Sequence, residues 1–75
     1  MTQKLPRLTA EQAITVIKQL GFTLVRQSGS HKIYKNYKGI RITIPYHKGK
    51  ILHPKIVKSI MKDAEISSST LQELL

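Results

Sequence analysis

Cysteine and tryptophan are absent from this 75-residue chain, and acidic residues are scarce. Without cysteine there are no disulfides and no thiolate metal sites. The four acids are Glu11, Asp63, Glu65 and Glu73, and none falls between Gln12 and Lys62. The middle of the chain therefore cannot supply the paired carboxylates of general acid–base catalysis. A specific metal site is not expected, on similar grounds. His31, His47 and His53 lack the thiolates or neighbouring carboxylates that complete three or four converging ligands. No cofactor is expected. No apolar run approaches the roughly 20 residues of a membrane span, and Met1 to Pro6 lacks the apolar core of a secretory leader. These absences predict one soluble cytoplasmic domain over residues 1–75, with no membrane partner.

What is present is positive charge. Thirteen Lys and Arg residues against four acids give a formal net charge of +9, and eleven of the thirteen lie in the acid-free stretch. Crowding like charge onto a small surface costs stability through self-repulsion. Nucleic acid is the commonest partner that offsets the cost, by releasing counterions at each neutralised phosphate. An acidic protein or an anionic membrane surface offers the same relief.

The order of elements follows from periodicity. Thr9 with Gln12 three residues on forms a capping box, and Ala10, Ala13, Ile14, Ile17 and Leu20 fall on one helical face before Gly21. From Phe22 the period changes to two. Phe22 to Arg26 reads as a first strand, Ser28-Gly29-Ser30 as a turn, and His31 to Asn36 as a second strand. Asn36-Tyr37-Lys38-Gly39 has hairpin-turn chemistry, and Ile40 to Ile44 is a third strand with three isoleucines on one face. Tyr46 to Leu52 is a loop. Pro54 suits the first position of a second helix, with Ile56, Val57, Ile60 and Met61 inward and Lys55, Lys58 and Lys62 outward. Ser67 to Leu75 forms a short third helix packed through Leu71, Leu74 and Leu75. The fold class is α+β: an α-β-β-β-α order, three antiparallel strands, two helices on one sheet face and a short C-terminal helix. The other face is expected to carry Lys32, Tyr34, Arg41 and Thr43.

Few reactions suit such a sequence. A relay through Ser30 and His31 fails because adjacent strand residues point to opposite faces. Nucleotide hydrolysis lacks a phosphate-binding glycine loop. RNA backbone cleavage demands less. A neutral imidazole takes the proton from a ribose 2′-hydroxyl, which attacks its own phosphate while cations stabilise the developing charge. His31 with Arg26, Lys32, Lys35 and Arg41 supplies that minimum. Lys32, Tyr34 and His47 are candidate proton donors to the leaving oxygen. Lys48 and Lys50 in the loop, and Lys55 and Lys58 on the second helix, are further candidates for RNA contact. The parity of His31 matches Ile33, so a histidine at the edge of the core is the competing reading.

Leu5-Pro6, Leu20-Gly21-Phe22, Gly29-Ser30-His31 and Ile44-Pro45-Tyr46-His47 form an ordered set. It continues through Ile56, Val57, Ile60 and Met61 to Ala64 and Ile66-Ser67. In this ordering and spacing the chain resembles the HicA family of toxin endoribonucleases, which have a double-stranded-RNA-binding-like fold. The resemblance implies the toxin of a type II toxin–antitoxin system: a metal-independent mRNA interferase restrained by a cognate HicB-type antitoxin. It places the catalytic histidine at His31, presented by the Gly29-Ser30 turn. Pro45 and His47 match family-typical positions. Glu65 departs from the pattern, since the family often has glycine there. The alternative is a non-catalytic double-stranded-RNA-binding module, gripping phosphates through the Ser28–His31 loop and Lys55 and Lys58. Such modules usually carry a proline after the loop glycine and a denser lysine cluster, and this chain has neither.

Overall fold

The computed structural model describes residues 5–75. Residues 1–4, on which much of the leader reading rests, lie outside the described residues. Six elements follow in order: α1 (Ala10–Gln19), β1 (Thr23–Ser28), β2 (His31–Lys35), β3 (Arg41–Pro45), α2 (Pro54–Ala64) and α3 (Ser68–Glu73). The strands form one antiparallel sheet in the order β1-β2-β3. This is the α-β-β-β-α arrangement expected from the sequence. Among the described residues no helix is long and apolar enough to cross a membrane.

Local chemistry starts and stops the helices. The Gln12 amide donates to Thr9 Oγ1 at 3.2 Å, and the Thr9 amide donates to Gln12 Oε1 at 3.0 Å. This reciprocal box satisfies two donors that α1 would otherwise leave free. α2 has Pro54 in its first turn and His53 as its cap, with Nδ1 accepting from the Lys55 amide at 3.1 Å. An accepting Nδ1 carries no proton. His53 is thus a structural cap. α2 ends at Glu65, whose φ of 58° and ψ of 44° are left-handed. α3 is capped by Ser67 and tied to α1 by Gln19 Nε2, which donates to the Leu74 carbonyl at 2.6 Å.

One core lies between the helices and a single sheet face. Ala13, Ile14, Val16 and Ile17 of α1 and Val57 and Ile60 of α2 pack with Tyr34, Ile42 and Ile44 of the sheet. Burying each large aliphatic side chain contributes about 1.5–3 kcal/mol. Val16 joins the expected stripe as a fully buried member of the same core as Leu71 of α3. Leu75, expected to pack, is instead about half exposed beyond the helix end.

The open sheet face differs from expectation. Residues paired across an antiparallel ladder share a face. Tyr34 pairs with Ile42 and Lys32 with Ile44, so both sit on the helix side, and Tyr34 is only 2 % exposed. His31, Ile33 and Lys35 occupy the open face opposite Pro45, Thr43 and Arg41. The expectation for Arg41 and Thr43 holds. That for Lys32 and Tyr34 is reversed. The reason lies in β3: its buried isoleucines set the sheet's inward parity, and the register imposes it on β2. Lys32 accommodates its inward position by laying its ammonium over the Tyr46 ring, 4.1 Å from the centroid.

Candidate functional site

His31 is the first residue of β2, delivered by a two-residue turn. Ser28 pairs with His31 across that turn. Gly29 has φ +58° and Ser30 does not have positive φ, the pattern of a type II′ hairpin with glycine leading. Gln27 Nε2 donates to the Gly29 carbonyl at 3.2 Å. The Tyr46 amide donates to the Ser30 carbonyl at 2.6 Å. Ser30 thus acts through its backbone, joining the turn to the chain leaving β3.

That bond also sets the ladder's phase. Asn36 donates to the Ile40 carbonyl at the other end of the hairpin, so the even-numbered residues of β2 bond to β3. His31 and Pro45 therefore form a non-hydrogen-bonded pair, in which side chains stand closest. The imidazole is exposed. Among the described residues neither ring nitrogen has a hydrogen-bond partner. The core-edge reading of His31 gives way to an open-face histidine with two free nitrogens.

The expected cations separate into groups. Arg26, paired with Ile33, and Lys35, paired with Arg41, belong to the open face with His31. Lys48 and Lys50 are exposed in the loop after β3, which turns at Gly49 (φ +76°) with the Lys50 amide donating to the His47 carbonyl. Lys55, Lys58 and Lys62 are exposed on α2. Lys32 is held by Tyr46 on the helix side, away from His31. Among the described residues no ion pair forms, so these charges are uncompensated. Arg41 also lines a groove of about 360 Å³ beside α2 with Lys55 and Asp63, placing it between the open face and the helix.

The candidate proton donors separate too. The Tyr34 hydroxyl is raised above its ordinary pKa of 10.0, first by burial and then by the charge of Tyr46. Its ring lies on the opposite sheet face from His31. His47 is exposed two residues beyond Pro45, and with Pro45, Lys50 and His53 it borders a depression of about 290 Å³. Among the described residues no three His, Asp or Glu side chains gather to hold a metal ion. Sequence reasoning missed two features. Pro45 lies directly across from His31, and β1 shifts register between Leu24 and Arg26, leaving Val25 as an extra residue. No local sequence signal marks that bulge.

The model of the HicA toxin of bacterial toxin–antitoxin systems matches residues 10–66. The chain belongs to the HicA toxin family. The matched segment begins with α1, contains the whole sheet and His31, and ends just after α2. α3 lies beyond it. Toxins of such systems pair with an antitoxin. Comparison with curated proteins gives no match.

Proposed function

We propose that this HicA toxin is a metal-independent endoribonuclease that cleaves mRNA in the cytoplasm, restrained by a HicB-type antitoxin. The observation that carries the reading is His31: exposed, among the described residues unpartnered at both nitrogens, and set on an open face where the described residues supply cations and no acid. A neutral His31 nitrogen accepts the proton of a ribose 2′-hydroxyl. The resulting oxygen attacks the adjacent phosphorus, and the bond to the 5′-oxygen breaks. The products are a 2′,3′-cyclic phosphate and a free 5′-hydroxyl. Gly29 and Ser30 hold the imidazole at the rim of the sheet, and Arg26, Lys35 and Arg41 attract the phosphate backbone. Burial removes Tyr34 from the donor candidates, and Lys32 is engaged with Tyr46. His47 is the donor we assign to the leaving oxygen, because it lies just beyond Pro45, which stands opposite His31.

The reading is tested with purified protein, single-stranded RNA and a chelator. Wild type is expected to cut RNA but not DNA, leaving cyclic phosphate ends. His31→Ala is expected to lose cleavage by about 10²–10⁴-fold, the usual worth of a general base, with an unchanged circular dichroism spectrum. Undiminished cleavage by that variant would overturn the assignment. Lys55 and Lys58, exposed at the start of α2, favour a second reading as a duplex-binding module. Wild type that binds duplex RNA and never cuts any RNA establishes that reading instead.

A further inference from the structure

The charge on the open face is unevenly distributed. His31 begins β2 and Lys35 ends it on the same face, so about 13 Å separates their backbones at roughly 3.3 Å per residue. At the Lys35 end, Lys35 stands directly opposite Arg41, and Arg26 stands opposite Ile33. These residues and Val25 line a depression of about 250 Å³. Val25 and Arg26 are consecutive, yet both border it, because the β1 bulge interrupts alternation there. The lining contains no acid. Like charges directly opposite each other destabilise a sheet, and among the described residues neither Lys35 nor Arg41 forms an ion pair, although Asp63 borders the groove on the α2 side of Arg41.

We propose that this depression is a nucleotide subsite distinct from the scissile position at His31. Lys35, Arg41 and Arg26 hold a phosphate, and a base or sugar rests against Val25 and Ile33. The assignment rests on the RNA-cleaving reading and gives it a direction. The substrate runs along β2 from His31 toward Lys35, across the open face. The span corresponds to roughly two to four nucleotide steps: four at the duplex rise of about 3.4 Å, fewer in a more extended strand. An acidic side chain would satisfy the cations but leave the apolar wall of Val25 and Ile33 uncovered. A nucleotide supplies both the anion and an apolar face.

The test uses DNA oligonucleotides bearing one ribonucleotide, so that only one bond is cleavable. Adding four deoxynucleotides on one side of that bond is expected to raise kcat/KM by about tenfold or more, and adding them on the other side is not. The double variant Lys35→Gln with Arg41→Gln loses this one-sided gain. Lys18→Gln, on α1 across the core, keeps it. Binding of uncleavable 2′-O-methyl RNA of two and six nucleotides is measured alongside. Wild type prefers the hexamer by a similar factor, and the double variant does not. A gain equal on both sides, or a one-sided gain that survives in the double variant, overturns the subsite. Hexamer binding that depends on Lys35 and Arg41, without cleavage of any chimera, sustains the subsite and defeats the catalytic reading. Failure to bind the hexamer while binding polyglutamate assigns the cations to a protein partner and overturns the subsite. Removing an opposed like-charge pair keeps the melting temperature at or above that of wild type, so lost binding does not report unfolding.

Discussion

At the scale of single residues, two positions carry strain or burial that the rest of the fold must offset. Glu65 ends α2 in the left-handed conformation, where a side chain costs about 1–2 kcal/mol that glycine does not incur. It also sets a negative charge at the negative end of the helix dipole. Glu65→Gly is therefore expected to raise stability by about 1 kcal/mol, read as a higher midpoint in urea. An unchanged midpoint would mean that the surrounding turn relaxes the strain. Tyr34 behaves differently. Its folded-state pKa is raised, chiefly by burial, so its neutral form is favoured in the folded protein. The associated stability is fully present below the ordinary value of 10.0 and is lost as pH rises through the higher folded value. Melting temperatures at pH 8 and pH 11 should diverge less in Tyr34→Phe than in wild type.

At the scale of elements, the turn between β1 and β2 makes His31 available. A Cβ added at Gly29 meets open space, so the cost of substitution there is conformational and not steric. Gly29→Ala is expected to lower stability by about 1–2 kcal/mol and to depress RNA cleavage further by shifting His31. A D-alanine at the same position, introduced by chemical synthesis, suits the positive φ and should restore both. The elements also show what the sequence could and could not convey. β3 alternates Arg41, Ile42, Thr43, Ile44, so its inward face is legible without a structure. β2 reads His31, Lys32, Ile33, Tyr34, Lys35, with one strongly apolar residue in each parity. Alternation cannot choose between Ile33 and Tyr34. The choice is made by pairing with Ile42 and Ile44, which is non-local information. The capping box of α1 and the proline start of α2 depend on neighbours a few residues apart, and both were legible. The β1 bulge depends on pairing alone. For the candidate site this meant that His31 and its turn stood out in the sequence, while the side of the sheet it serves did not.

At the scale of the whole molecule, eight of the thirteen cations lie in three regions: Arg26, Lys35 and Arg41 on the open face, Lys48 and Lys50 in the loop after β3, and Lys55, Lys58 and Lys62 on the exposed side of α2. Arg41 lies between the first and last of these through the groove it shares with Lys55. On the proposed function, a long RNA crossing the sheet would therefore have a route onto α2. Replacing Lys55 and Lys58 with Gln is expected to weaken binding of long RNA. It should also reduce the slope of log affinity against log salt by about 0.7 for each single-strand phosphate that is no longer neutralised. An unchanged slope would confine the RNA to the sheet and loop.

The division of the sheet into one face that makes the core and one that meets solvent has a genetic consequence. His31, Lys35 and Arg41 lie outside the core, so on the proposed function substitutions there are expected to disarm the chain while leaving it folded. On that proposal, such a chain is expected to keep those antitoxin contacts that do not use these side chains, and so to act as a decoy that releases active copies of the toxin beside it. Polar or charged substitutions at the buried Ile42 or Ile44 are expected instead to disarm the toxin by unfolding it, leaving a product open to proteolysis. Cells that survive expression of this toxin should therefore divide into two classes: those whose inactive protein titrates the antitoxin and those in which no protein remains to do so.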